Sequence, residues 1–139
     1  MTDLSEVDEN NFPLSELTYK IIGSAMSVHR FYGPWYVEYV YQKGLEHVLR
    51  KDGLNFIAKE EVPIYYEDEL TGATLKPDFI VENKIIVEIK ALEKLTRKSE
   101  KQVLSYMRAT KKEVGLLINF GTEHLEWKRF AVTKKDDGK

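Results

Sequence analysis

The chain has 139 residues, no cysteine and a formal net charge of −2, which suits a single domain that buries its own core. The absence of cysteine excludes thiolate metal sites and cysteine nucleophiles. No apolar run is long enough to span a membrane, and the acidic N-terminus is unlike a signal peptide, so we expect a cytoplasmic protein. We predict a flexible acidic leader over residues 1–13, one domain over residues 14–132 and a flexible tail over residues 133–139.

Two helices are predicted at the start of the domain. Apolar residues recur at helical spacing after a cap at Ser15, and Gly33 suits the left-handed residue that ends such a helix. Pro34 is expected to open the second helix, because the first helical residue needs no amide hydrogen. This helix should run to about Lys51.

Glu38 lies on the apolar side of the second predicted helix, in line with Leu45 and Leu49. A carboxylate that faces the core is costly unless it is paired or bound to something. No lysine or arginine stands at a helical spacing that would pair with it. Glu38 is therefore predicted to find its partner outside the helix.

The later elements complete a mixed α/β (α+β) domain, in which one central mixed sheet is flanked by helices. In chain order we predict a strand at 61–66 with an edge position or bulge at Pro63, a turn at 70–73, a hairpin at 75–91, a helix from a cap at Thr96 to about Thr110, a buried central strand at 114–119 and a more exposed strand at 126–132.

The hairpin at 75–91 carries the most informative pattern. Its two apolar runs flank a loop at 82–84, where asparagine tolerates the left-handed backbone of a tight turn. A three-residue loop sets a register in which Asp78 opposes Glu88, and Lys90 follows on the same face. The opposite face is then almost wholly apolar.

Two carboxylates directly opposed across strands repel each other. A divalent cation such as Mg²⁺ would relieve this repulsion, since it takes one or two carboxylates together with water and phosphate. Residues 84–112 also hold nine basic and three acidic residues. Such a basic zone fits a polyanionic partner, although charge runs of this kind usually form a solvated helix face.

Several segments carry a resemblance to a known family. Pro77-Asp78, followed on the next strand by Glu88-Ile-Lys90, resembles the signature of the PD-(D/E)XK nuclease superfamily. Within it, Gly33-Pro-Trp-Tyr-Val-Glu-Tyr-Val-Tyr41 and Gln102-Val-Leu-Ser-Tyr106 are similar to the small bacterial and archaeal GxxExxY proteins. The resembling segments span roughly residues 14–132. Trp35 replaces the first glycine of the GxxExxY motif.

The resemblance implies a restriction-endonuclease-like αβββαβ core and hydrolysis of phosphodiester bonds that depends on Mg²⁺ or Mn²⁺. DNA is favoured over RNA as the substrate. The implied metal ligands are Asp78, Glu88, the Ile89 carbonyl and Glu38. Lys90 would polarise the attacking water or stabilise developing charge, and Gln102 would orient the site. We also predict weaker contacts to nucleic acid from Lys76, Arg97, Lys98, Lys101, Tyr106 and Arg108.

Two alternative functions stay open. The chain could be a catalytically weak or inactive module that keeps the nuclease fold and binds nucleic acid or a protein partner. It could also be a structural subunit that buries its acidic hairpin face in an oligomer, for example a homodimer. A cross-strand charge cluster on a solvated face would need no metal at all.

Overall fold

A computed structural model describes residues 2–5 and 14–134 of the chain. Within these ranges it contains three helices and eight strands. The elements are β1 (Thr2–Ser5), α1 (Ser15–Tyr32), α2 (Glu38–Lys51), β2 (Phe56–Ala58), β3 (Val62–Tyr66), β4 (Glu69–Leu75), β5 (Phe79–Val81), β6 (Ile85–Lys90), α3 (Arg97–Thr110), β7 (Val114–Asn119) and β8 (Glu126–Lys134). In the described ranges no helix has the combination of length and apolarity needed to cross a membrane.

Six strands form one mixed sheet in the order β1-β8-β7-β6-β5-β2. Strands β6 and β7 run parallel, and the other neighbours in this sheet are antiparallel. Helices α1 and α2 bury their apolar residues against one face, where Phe79 and Val87 lie, whereas α3 packs on Ile80 and Ile86 of the other face. The predicted central mixed sheet flanked by helices is confirmed.

Three strands of this sheet lie between α2 and α3 in the chain, as an αβββαβ core requires, but the first of them is not the predicted one. It is β2, which pairs with β5. The predicted strand at 61–66 became β3, which leaves the sheet and pairs only with β4. Pro63 supplies no amide hydrogen to a ladder, and the β3–β4 register shifts between Pro63 and Tyr65, as expected for a bulge.

The predicted turn at 70–73 is wrong, because these residues lie inside β4. The chain reverses at 67–68 instead, where Glu67 takes a positive φ of 55°. The first strand of the hairpin is also shorter than predicted. Leu75 ends β4 in the small sheet, and only Phe79–Val81 pairs with β6.

Helix α2 starts at Glu38 and not at Pro34. The cause is the buried side chain of Tyr41, whose hydroxyl donates a hydrogen bond to the Gly33 carbonyl and accepts one from the Tyr36 amide. These bonds satisfy backbone groups of the turn outside the helix. Gly33 ends α1, as predicted, and has a positive φ of 71°, but its ψ of −169° lies outside the left-handed helical region that was expected. Glu38 thereby becomes the first helical residue of α2.

The ends of the chain differ from the expectation of flexible segments. Thr2–Ser5 form β1, which pairs with the end of β8, and residues 133–134 continue β8. Residues 2–5 of the predicted leader are thus placed in a strand of the main sheet. The rest of the predicted leader and tail, residues 6–13 and 135–139, falls outside the described residues.

Helix α3 and strand β7 match their predictions. The Thr96 side chain accepts a hydrogen bond from the Ser99 amide and so caps α3, which ends at Thr110. Strand β7 is buried along its whole length and lies between β6 and β8. Together they hold β6 in the middle of the sheet, between helices on both faces.

Candidate active site

The loop between β5 and β6 has the predicted length and register. Glu82 and Asn83 take positive φ values of 52° and 56°, and the Lys84 amide donates to the Val81 carbonyl at 2.9 Å. The strands then pair Val81 with Ile85, and Phe79 with Val87. Continuing this antiparallel register by one residue brings Asp78 opposite Glu88.

Asp78 and Glu88 are locked together by two hydrogen bonds to backbone. The Asp78 amide donates to Glu88 Oε1 at 3.1 Å, and the Ile89 amide donates to Asp78 Oδ2 at 2.8 Å. The two residues are only 1% and 4% exposed. Each carboxylate thus uses one oxygen to hold the partner strand, which leaves one oxygen on each for further contacts.

Both remaining oxygens face a lysine. Asp78 Oδ1 forms a short ion pair with Lys59 Nζ, and Glu88 Oε2 lies 3.9 Å from the Nζ of half-buried Lys90. The pair of carboxylates predicted from the hairpin is therefore flanked by two cations, one of which was not predicted. The structure brings Asp78, Glu88 and Lys90 together as the sequence analysis expected.

Sequence analysis missed Lys59. Strand β2 pairs Ala58 with Phe79, so the same antiparallel logic that opposes Asp78 and Glu88 also places Lys59 beside Asp78. The Lys59 amide strengthens this position by donating to the Pro77 and Asp78 carbonyls, both at 3.2 Å. The sequence feature that could have revealed Lys59 is the apolar run Phe56-Ile-Ala58, which forms β2. Three residues are too few to distinguish a strand from a loop by pattern alone.

Glu38 enters the site from the first turn of α2. Burial and then the charge of Asp78 raise the pKa of the Glu38 carboxyl, while Lys90 and Lys59 oppose that rise. The charges that act on Glu38 thus come from the hairpin and from Lys59, which follows β2, and not from its own helix. In the parts of the chain that the structure describes, however, no group of three or more His, Cys, Asp or Glu side chains is arranged as a metal site.

Comparison with known proteins supports the fold and its class. The family model described as the PD-(D/E)XK nuclease superfamily matches residues 15–130. The chain belongs to the PD-(D/E)XK nuclease superfamily. No curated protein and no solved structure matches it. The matched range includes Pro77-Asp78 and Glu88-Ile-Lys90, the segments that resemble the superfamily signature and that contain the buried pair.

Nucleases of the PD-(D/E)XK superfamily typically use divalent metals. The donors in this chain fit a hard cation, because Asp78 Oδ1 and Glu88 Oε2 are carboxylate oxygens that no backbone group holds. Mg²⁺ is usually bound by only one or two protein carboxylates, together with water and substrate phosphate. Glu38 stands beside this pair as an electrostatic neighbour. Its place as a ligand, like that of the Ile89 carbonyl, stays a prediction.

Gln102 and Tyr106 lie one turn apart on α3. Gln102 Nε2 donates to the Tyr106 hydroxyl at 3.1 Å. Burial and then the charge of Glu88 raise the pKa of Tyr106, which places its hydroxyl within electrostatic reach of the carboxylate pair. Tyr106 was grouped with the residues that contact nucleic acid, but its ring is buried in the core and offers no surface for that contact.

The remaining predicted contact residues lie on the surface of this PD-(D/E)XK domain. Lys76 Nζ is 3.5 Å from the exposed Glu61, and Arg97 is paired with Glu100 at 3.2 Å. Lys98 and Lys101 are exposed on α3. Arg108 lines an open cleft of about 900 Å³ between α3 and the β3–β4 ribbon. Contacts of these cations with nucleic acid stay predictions.

Removing the amine of Lys59 should destabilise the fold. Lys59→Met leaves the buried Asp78 carboxylate without its ion pair, and we expect a loss of about 1–3 kcal/mol in the free energy of unfolding. Urea denaturation at pH 7 measures it. Lys76→Met is the matched control, because the exposed Lys76–Glu61 pair contributes at most about 1 kcal/mol. Equal losses in both variants would contradict the assignment of Lys59 as the partner of Asp78.

Acidification should stabilise the metal-free protein. Burial and then the neighbouring Asp78 charge raise the pKa of Glu88 from 4.5 to about 8, so the folded state binds this proton more tightly than the unfolded chain does. Stability should be highest below pH 4.5 as far as Glu88 is concerned, and should fall as the pH rises to about 8.

Thermal denaturation in EDTA between pH 5 and pH 9 measures this slope. Glu88→Gln carries a neutral side chain of the same shape and should lose most of the slope across this range. A Glu88→Gln variant with the pH dependence of the wild type would show that another group controls it.

Proposed function

We propose that this protein is a metal-dependent nuclease that hydrolyses phosphodiester bonds in nucleic acid, with DNA as the preferred substrate. We further propose that it is one of the GxxExxY proteins. The observation that carries the proposal is the buried Asp78–Glu88 pair, with Lys90 beside it. Two carboxylates that are buried and held next to each other lower the stability of the fold, because they are desolvated and repel each other. A bound cation would offset this loss.

Asp78 and Glu88 would hold one divalent cation, Mg²⁺ or Mn²⁺, with Glu38 as a further ligand to the metal or to its water. The bound cation would act as a Lewis acid toward the phosphate and would lower the pKa of a water molecule. The hydrogen bonds from the Asp78 and Ile89 amides fix the two carboxylates before any ligand binds, so little reorganisation is needed.

Lys90 would stabilise the negative charge that develops on phosphate oxygens during attack. Its ammonium lies at the end of β6 and is half-buried, where a cation acts on neighbouring charge more strongly than in bulk water. Glu38, whose pKa is raised, suits the exchange of a proton with the attacking water. Gln102 would act indirectly, by orienting the Tyr106 hydroxyl that lies near Glu88.

One observation favours a second function. Lys59 Nζ already forms an ion pair with Asp78 Oδ1, the oxygen that would bind a metal cation. A metal would have to compete with this lysine. If the ion pair persists in the presence of metal, the protein is a nuclease-fold module that binds nucleic acid or a protein without cutting efficiently.

Cleavage assays should separate these two functions. We expect the wild type to cut plasmid, single-stranded or branched DNA, or RNA, with Mg²⁺ or Mn²⁺ and not with EDTA. Glu88→Gln and Lys90→Ala should each lower the rate by about 100- to 1,000-fold, since Glu88 would hold the cation and Lys90 would stabilise charge on the reacting phosphate. Lys84→Ala is the matched control, because Lys84 ends a second Glu-x-Lys triad in the exposed loop of the same hairpin.

Cleavage that survives EDTA, or that survives both substitutions, would contradict the metal-nuclease proposal. Salt-sensitive binding of nucleic acid without cleavage under any metal condition would support the binding module instead.

A further inference from the structure

Four aromatic residues form an exposed cluster where α1 meets α2. Trp35 is 84% exposed, Phe31 82%, Tyr39 68% and Tyr36 50%. We call these four residues the aromatic corner. The adjoining Val37 is also exposed. Single apolar side chains on a surface are ordinary, but a contiguous group of large aromatic rings usually marks a binding surface.

The turn that carries the aromatic corner is anchored to the core by Tyr41. The buried ring of Tyr41 stacks on Phe120 with centroids 4.7 Å apart, and its hydroxyl bonds to the backbone of Gly33 and Tyr36. Tyr32 continues this contact outward, with edge-to-face contacts to Tyr41, Tyr36 and Phe31. Phe31 and Tyr36 therefore pack against Tyr32, and the turn that carries Trp35 is tied to the buried Tyr41.

Trp35 has its own support. A Cβ atom built on Gly33 would lie only 3.1 Å from Cδ1 and from Nε1 of the Trp35 ring, so the indole rests against the glycine. Gly33 also has a positive φ of 71°, which suits a residue without a Cβ. The rest of the indole faces solvent. Trp35 stands where the GxxExxY motif has glycine, so this ring is not explained by the resemblance.

The aromatic corner adjoins Glu38, a predicted residue of the candidate active site, along the chain. Glu38, the first residue of α2, lies between Val37 and Tyr39 in the chain, and its pKa responds to Asp78, Lys90 and Lys59. A strand of nucleic acid bound at the Asp78–Glu88 pair would lie near the start of α2, where Val37 and Tyr39 flank Glu38 in the chain. Lys43 Nζ lies 5.7 Å from the centre of the Tyr39 ring and places a positive charge there. The same ammonium also forms an ion pair with Glu46 at 3.5 Å.

We propose that the aromatic corner binds single-stranded nucleic acid by stacking unpaired bases on Trp35 and Tyr39. In a duplex the faces of the bases are already stacked on each other, whereas an unpaired base offers a free face to an aromatic ring. This inference rests on the proposed function for its substrate class, and it narrows that class to single-stranded segments near the cut. Its test is a binding measurement that needs no cleavage.

The probe is a fluorescently labelled 20-nucleotide oligothymidylate, compared with a 20-base-pair duplex, in EDTA and in the Glu88→Gln background. Trp35→Ala and Tyr39→Ala should each raise the Kd for the single strand by about 10-fold and change the Kd for the duplex by less than about twofold. Tyr66→Ala is the matched control, because Tyr66 is as exposed as Tyr39 but lies on the β3–β4 ribbon.

Tryptophan fluorescence gives a second measurement at the same site. The chain has two tryptophans, so Trp127→Phe leaves Trp35 alone. Oligothymidylate should quench this remaining emission with the same Kd. Thermal denaturation of each variant checks that the fold is intact, which is expected because the substituted rings are exposed.

Unchanged affinity for the single strand in both Trp35→Ala and Tyr39→Ala would overturn the inference. A second result would also overturn it: the wild type self-associates in gel filtration, Trp35→Ala abolishes that association, and the Kd of Trp35→Ala for oligothymidylate equals that of the wild type. The corner would then be a protein interface. If the corner variants lose single-strand affinity while the wild type cuts no substrate, the stacking surface stands and the proposed nuclease activity fails.

Discussion

The candidate site depends on the reciprocal hydrogen bonds between the start of β5 and the end of β6. Glu88 accepts a hydrogen bond from the Asp78 amide, and Asp78 accepts one from the Ile89 amide. The three-residue loop at 82–84 sets the register that allows both bonds. A loop one residue longer or shorter, without a bulge, would put the two carboxylates on opposite faces of the sheet. The packing of α1 and α2 on one face and α3 on the other then keeps this short hairpin in the middle of the domain.

This arrangement buries two like charges, and the surrounding cations compensate in part. Lys59 lies against Asp78 Oδ1 and Lys90 lies near Glu88 Oε2, while burial and the charge of Asp78 still raise the pKa of Glu88. A divalent cation would offset both effects at once. The same electrostatics therefore connect the fold, the superfamily to which the chain belongs and the proposed chemistry.

Local rules predicted those parts of the site that depend on local sequence. The hairpin register followed from strand alternation and turn chemistry, and the cap of α3 followed from Thr96. The start of α2 and the position of Lys59 could not be predicted in this way. The first depends on a hydrogen bond from the Tyr41 side chain to Gly33, and the second on a three-residue strand that is stable only within the sheet. Both are tertiary effects, and both change which side chains border the carboxylates.

The central claim is that Asp78 and Glu88 form a cation site, and paramagnetic line broadening by Mn²⁺ in the amide NMR spectrum tests it most directly. Substoichiometric Mn²⁺ should broaden the amide signals of Asp78 and Ile89 first, Mg²⁺ in excess should restore them, and Glu88→Gln should prevent the effect. Broadening that leaves these amides sharp, or that persists unchanged in Glu88→Gln, would contradict the account.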